Sequence, residues 1–127
     1  HQRDTDYCCH IRKVIPFEDA LSPYDAWISG RKRFQSNSRS TLEAIELDGD
    51  GRFKVNPLYN WEYDAILEEF DRVGLPRHPL VSKGFPSIGC YPCTRAVKEG
   101  EDQRAGRWSG QGKTECGIHK SPAFQNK

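Results

Sequence analysis

The order of apolar patterns along this 127-residue chain predicts a mixed fold of helices and strands. Three observations carry it. Helical periodicity runs from Cys9 to Leu21, short alternating runs fall at 26–30, 44–47 and 53–56, and a second helical face runs from Trp61 to Val73.

In the first helix Ile11, Val14 and Phe17 form the apolar side, and Pro16 limits its regularity. Ser22-Pro23 starts a turn. Ala26-Trp27-Ile28-Ser29-Gly30 reads as a short buried strand closed by glycine, and a basic polar loop follows over 31–39. The runs 44–47 and 53–56 flank Asp48-Gly49-Asp50-Gly51, which is a hairpin signal. A calcium loop fails there, because the ligand register breaks at Arg52 and the closing Glu is missing. Asn60 is placed to cap the second helix, with Trp61, Ala65, Ile66, Phe70 and Val73 on one face. Gly74 suits the C′ position and Pro76 prevents continuation. From Leu75 onward the chain reads as loop, with a Gly-rich connection at 106–112 and a tail from Lys113 to Lys127.

Composition narrows the function classes. Nineteen basic residues against eighteen acidic ones give a net charge of +1, which does not point to nucleic acid. Mean hydropathy is −0.81. No apolar run approaches the length of a membrane span, and the N-terminus has no signal-peptide core. Five cysteines, an odd number without an export signal, point to a reducing compartment, here the cytoplasm, rather than a disulfide scaffold.

Four of those cysteines form two pairs, Cys8-Cys9 and Cys90-Tyr91-Pro92-Cys93. Cys-x-x-Cys is a natural chelate, whereas adjacent cysteines diverge and suit a cluster with separate iron corners better than one small ion. Spacing alone leaves structural zinc and a 4Fe–4S cluster open, beside the plain reading of unrelated buried thiols. Gly89 permits close backbone approach and Pro92 stiffens the loop. Arg12 and Lys13 follow the first pair by one helical turn, where positive charge offsets thiolates; a solvated basic face is the alternative.

Cys116 stands apart, in Thr114-Glu115-Cys116-Gly117-Ile118-His119-Lys120. A thiol beyond a Gly-rich connection and before a glycine sits in an accessible setting. Lys113, His119 and Lys120 favour its thiolate and Glu115 opposes it. A reactive thiol and an ordinary surface or core cysteine both remain open. Upstream, Arg104 and Arg107 are three apart and can face the same way, and paired guanidiniums match the oxygens of phosphate or sulfate. Arg31, Lys32, Arg33 and Arg39 offer a second anion-binding cluster.

Taken in order, these segments resemble the assimilatory adenylyl-sulfate and phosphoadenylyl-sulfate reductases. Cys8-Cys9-His10-Ile11-Arg12-Lys13 is similar to their Cys-Cys-x-x-Arg-Lys motif, and Ala26-Trp27-Ile28-Ser29-Gly30-Arg31-Lys32-Arg33 to their Trp-Ile-Thr-Gly-basic segment. Lys54-Val55-Asn56-Pro57-Leu58, the block from Pro86 to Val97, the block from Glu101 to Trp108, and Glu115-Cys116-Gly117-Ile118-His119 complete the series.

The resemblance implies an α/β fold, the C-terminal part of an adenine-nucleotide alpha-hydrolase-like (PP-loop ATPase-like) architecture with a mainly parallel sheet. Residues 1–108 would carry the cluster site and 109–127 a mobile catalytic tail. It implies reduction of adenylyl sulfate to sulfite and AMP with thioredoxin as donor. Cys116 would be the nucleophile, and Cys8, Cys9, Cys90 and Cys93 the ligands of a 4Fe–4S cluster. Lys13, Arg104, Arg107 and His119 would bind substrate, with Arg39 a weaker transfer. It also implies homo-oligomers. Use of 3′-phosphoadenylyl sulfate is the alternative within the family, and a non-catalytic four-cysteine metal-binding module the alternative outside it. The family's Ser-Gly-Gly-x-Asp-type phosphate loop is not among these 127 residues, so the chain is expected to hold one half of such an enzyme.

Overall fold

The computed structural model describes residues 4–119. They fall into two compact units, one made of 4–30, 43–57 and 115–119, the other of 31–42 and 58–114. Among the described residues no helix is long and apolar enough to cross a membrane.

The first unit opens on a helix that begins earlier than its apolar periodicity announces. Asp4 caps it: its carboxylate accepts the Tyr7 amide at 2.8 Å. Helix α1 spans Thr5–Cys9, a π-helical stretch spans His10–Val14, and α2 spans Ile15–Leu21. Pro16 is the physical cause of the wider turn. It has no N–H to donate and its ring crowds the carbonyl one α-turn back. The chain widens instead, and the Ile15 amide donates to His10 O, an i to i−5 bond. Val14 and Cys9 are buried, whereas Ile11, read as part of the apolar side, is exposed.

Strands β1 (Ala26–Ile28), β2 (Ile45–Leu47) and β3 (Phe53–Val55) form a sheet in the order β1-β3-β2. Trp27 pairs with Lys54 in a parallel ladder and Glu46 pairs with Lys54 in an antiparallel one. The described sheet is therefore mixed, not mainly parallel, because the tight turn between β2 and β3 forces them antiparallel. Asp48 organises that turn. One of its carboxylate oxygens accepts the Asp50 and Arg52 amides at 2.9 and 3.0 Å, and the other accepts the Trp27 indole N–H at 3.0 Å.

The pleat gives the sheet two unlike faces. One carries Trp27, Glu46 and Lys54. Phe17 of α2 meets Trp27 edge-on there at 5.0 Å between ring centroids. Lys54 is buried on this face, with its ammonium 3.8 Å from the Glu46 carboxylate and 5.3 Å from the Trp27 ring centroid. Fully buried Asn56 donates to Glu43 O at 2.8 Å and to Glu46 at 2.9 Å, so the polar cluster is satisfied from several sides. The other face carries Ala26, Ile28, Ile45, Leu47, Phe53 and Val55.

The second unit has one long helix, α3 (Tyr63–Arg72), among short 3₁₀ turns. Asn60 does not cap it. The Trp61 amide closes a turn onto Leu58 O, helical geometry starts later, and the cap position falls to Glu62 without a side-chain bond. The C-terminal end follows the sequence reading: Gly74 is left-handed, and the Gly74 and Leu75 amides donate to Asp71 O and Phe70 O, closing a Schellman motif. Ala65, Ile66 and Phe70 are half-buried and Val73 is exposed.

Candidate functional site

The second unit holds the Cys90–Cys93 turn. Pro92 fixes one dihedral, and the Cys93 amide donates to Cys90 O at 2.9 Å, which folds Tyr91–Cys93 into a single 3₁₀ turn. The Thr94 hydroxyl donates to Cys90 O at 2.9 Å and accepts the Gly89 amide at 3.1 Å, bracing the loop from outside. Behind it runs a short antiparallel pairing, in which Arg95 N donates to Gly106 O and Trp108 N to Cys93 O, both at 2.9 Å. The thiol turn is thus anchored to the Arg104–Trp108 segment.

That segment walls an open cavity of about 550 Å³. Arg104 and Arg107, paired by their spacing in the sequence, both line it, with Lys113, Trp108 and the Ser36–Ser38 loop. The Arg104 guanidinium donates to Thr114 O at 2.8 Å. The Arg107 guanidinium donates to Ile88 O at 3.1 Å and lies over the Trp108 ring at 4.5 Å from its centroid. Lys113 stands 5.9 Å from the centroid of the same ring. Trp108 is buried and holds φ +47°, a left-handed conformation that costs a non-glycine residue on the order of 1–3 kcal/mol and persists where its surroundings fix it. Asp102 lines the cavity as well, so its lining holds three cations against one carboxylate, which favours an anionic over a cationic occupant.

Three lining features are not singled out as a group by the sequence: Lys113, Trp108 and Ser36–Ser38 lie in three separate segments, and only the fold brings them to one cavity. Arg39 is buried, its guanidinium donating to Gln35, and it is not among the cavity's lining residues. Arg33 is likewise engaged: its Nε donates to Leu42 O at 2.8 Å and its guanidinium lies over Tyr59. Burial, then the nearby Arg39 charge, lowers the Lys32 pKa from its ordinary value.

The first unit holds the other predicted residues. Cys8 is half-buried and Cys9 buried at the end of α1, and Lys13 stands half-buried on the π-helical stretch that follows. Cys116 is half-buried in the 115–119 segment. Gly117 has φ +96°, and a Cβ there would come 3.2 Å from Val14, so this residue lets the segment close onto the helix. Gly117 and Ile118 border a small gap with Val14, Phe17, Asp48 and Gly49. His119 stacks on Trp27, ring centroids 5.6 Å apart and planes 10° from parallel. Trp27 therefore has Phe17 at its edge, His119 on a face, Lys54 near its ring and Asp48 on its N–H. Lys120 lies outside the described residues.

All five cysteines are free thiols. Among the described residues no three His, Cys, Asp or Glu side chains are grouped as around a metal ion. Each thiol pair belongs to its own unit. Within the second unit the donor chemistry nevertheless fits an iron–sulfur group: two thiols on a braced tight turn, with a guanidinium beside them. That guanidinium is Arg107, which packs against Gly89 so closely that a Cβ there would fall 2.5 Å from it. Positive charge and close backbone are what a thiolate-ligated cluster needs.

Comparison with known proteins decides the family. The family model of the phosphoadenosine phosphosulfate reductase domain matches residues 1–96. This chain belongs to that family. The matched stretch contains both cysteine pairs of the reductase domain. Similarity to individual relatives extends through the Cys116 region. An adenosine 5′-phosphosulfate reductase of Mesorhizobium japonicum is 47% identical over 121 residues, covering 95% of this chain and 47% of the relative. One of Oceanobacillus iheyensis is 50% identical over 123 residues, covering 94% of this chain and 50% of the relative. A phosphoadenosine 5′-phosphosulfate reductase of Gloeobacter violaceus is 47% identical over 122 residues, covering 94% and 51%. The chain thus spans about half the length of the curated relatives it matches.

Proposed function

We propose that this chain supplies the redox half of a thioredoxin-dependent adenylyl-sulfate reductase acting in cytoplasmic sulfate assimilation. The observation that carries the reading is the cavity bordered by Arg104, Arg107 and Lys113 in a chain of this reductase family. Adenylyl sulfate is an anion, and so is the thiolate that must approach it. Guanidinium and ammonium groups offset that repulsion and stabilise charge as it moves onto the departing phosphate.

In the proposed reaction the Cys116 thiolate attacks the sulfur of adenylyl sulfate. An S–S bond forms, the bond from sulfur to the phosphate oxygen breaks, and AMP leaves with that electron pair. Cys116 then carries an S-sulfo group. A thioredoxin thiolate attacks the Cys116 sulfur, releasing sulfite and leaving a mixed disulfide, which the second thioredoxin thiol resolves to regenerate Cys116. Segment 109–127, of which 120–127 lie outside the described residues, would be the tail that carries Cys116 between these two partners. Arg104 and Arg107 hold the sulfate–phosphate end, Lys13 and His119 assist there, and Arg39 sits at the border of that role. Cys8, Cys9, Cys90 and Cys93 would hold a 4Fe–4S cluster, which when bound would order the surrounding loops and cations of the site.

The test is single-turnover labelling. The chain, combined with the remaining half of the reductase domain, is incubated with sulfur-labelled adenylyl sulfate without thioredoxin. Label accumulates on Cys116 and leaves as sulfite when thioredoxin is added. Undiminished protein label in Cys116→Ser rules the nucleophile out. A parallel reaction with 3′-phosphoadenylyl sulfate reads substrate preference. The Gloeobacter violaceus relative, named for that nucleotide and equally similar at 47% identity, makes this the reading to set beside the first.

A further inference from the structure

The sheet of the first unit is dressed the wrong way round for an isolated domain. Its covered face buries polar groups beside Trp27: Lys54 is 1% exposed and Asn56 beside it 0%. Its other face is wholly apolar and open. Ile28 is 76% exposed, Ile45 61%, Phe53 55% and Leu47 54%. Strand register sets these side chains side by side, since Leu47 pairs with Phe53, Ile45 with Val55 and Val55 with Ile28. No charged residue interrupts the six strand positions of this face.

We infer that this face is the docking surface for the part of the reductase domain that the curated relatives possess and this chain does not match, supplied on the same chain or by a separate one. Three observations converge on that occupant. β1 and β3 are parallel, and parallel strands are found with both faces covered. Here α2 reaches one face, through Phe17 on Trp27, and the opposite face carries Ile28, Ile45, Leu47 and Phe53, all exposed. The relatives are about twice as long as the stretch they share with this chain, so the family possesses the material for a second layer. A face of isoleucine, leucine and phenylalanine without charge takes an apolar helix surface, because helices close such layers over a sheet. The inference rests on family membership and not on the identity of the nucleophile or cluster.

The experiment needs neither substrate nor cofactor. This chain is co-expressed with the region of the Mesorhizobium japonicum reductase that it does not match, and the purified product is weighed by sedimentation. A one-to-one complex is expected, in which the fluorescence of an apolar-surface dye falls relative to this chain alone. Ile28→Glu and Leu47→Glu, each placing a charge where an apolar side chain would be buried, weaken the complex at least about tenfold. Ile15→Lys, exposed on α2, which reaches the opposite face, leaves it unchanged. Far-UV circular dichroism of each variant, matched to the parent, keeps loss of folding apart from loss of docking. The inference is overturned if no complex forms, if both Glu variants bind as tightly as the parent, or if the face is instead consumed by a second copy of this chain, seen as a dimer that the Glu variants dissolve.

Discussion

Replacing His119 by alanine tests whether the Cys116 segment is latched to the first unit by one ring contact. His119 lies on Trp27 at 5.6 Å and 10°, while Phe17, Lys54 and Asp48 hold the indole from other directions. His119→Ala therefore removes the latch and leaves the platform. An aromatic pair of this geometry contributes about 0.5–1.5 kcal/mol beyond its burial, so the open population should rise about 2- to 13-fold. The assay is the rate of Cys116 alkylation by iodoacetamide without substrate, read by peptide mass spectrometry, which separates Cys116 from the other four thiols. Opening faster than alkylation makes the rate proportional to the open population. His119→Phe keeps a ring without the imidazole nitrogens and should bring the rate back toward the parent. An unchanged rate in His119→Ala, or a Phe variant as reactive as the Ala variant, would refute the latch.

Three further outcomes follow from the same geometry. Asp48→Ala leaves two amides and the Trp27 indole without their acceptor, and should cost about 2–4 kcal/mol, read as a lower urea midpoint at constant slope; a midpoint equal to the parent's would show the turn does not need the carboxylate. Gly106→Ala puts a Cβ into the Arg95 carbonyl and should open the pairing behind the thiol turn at about 1–3 kcal/mol, so a variant as stable as the parent speaks against that packing. The Arg95 guanidinium, with the Lys98 amide, lowers the Glu101 carboxyl pKa from an ordinary 4.5 to about 2. Because the folded value is the lower one, the contact contributes stability that is complete above 4.5 and is lost as pH falls from there through about 2. A carbon-detected titration of Glu101 should show the low midpoint, with Arg95→Met moving it up; a parent midpoint near 4.5 would contradict the clamp.

Features that act within a few residues were legible in the sequence. The Asp48–Gly51 turn, the Gly74 helix stop and the stiff Cys90–Cys93 turn each arise from local dihedral preference, so residue identity announces them. The start of α3 was not, because the Leu58–Trp61 turn competes with Asn60 for the same backbone. The π-helical stretch was half legible: Pro16 announced irregularity, but not that the chain would widen rather than break. Least visible was the sheet's inversion. Period-two alternation marks two faces without saying which is covered, and Lys54 reads as the solvent side until Glu46, Asn56 and Trp27 are seen around it.

The candidate site divides in the same way. Arg104 and Arg107 look interchangeable in the sequence, two guanidiniums three residues apart, and both line the cavity. Their other contacts separate them. Arg104 holds the backbone of Thr114, two residues before the proposed nucleophile. Arg107 turns the other way, onto Ile88 O and against Gly89, immediately before Cys90. One arginine thus ties the cavity to the segment that leads to Cys116, and the other ties it to the thiol turn. A charge that borders both cavity and thiol loop cannot shift for one without moving the other. Gly89→Ala, whose Cβ would fall 2.5 Å from that guanidinium, should therefore disturb the cavity's affinity for a sulfonucleotide as well as the cysteine turn. Inhibition by AMP in the combined halves and iron content in the same preparation read the two effects, and a change in iron content with AMP inhibition intact would separate what the geometry joins.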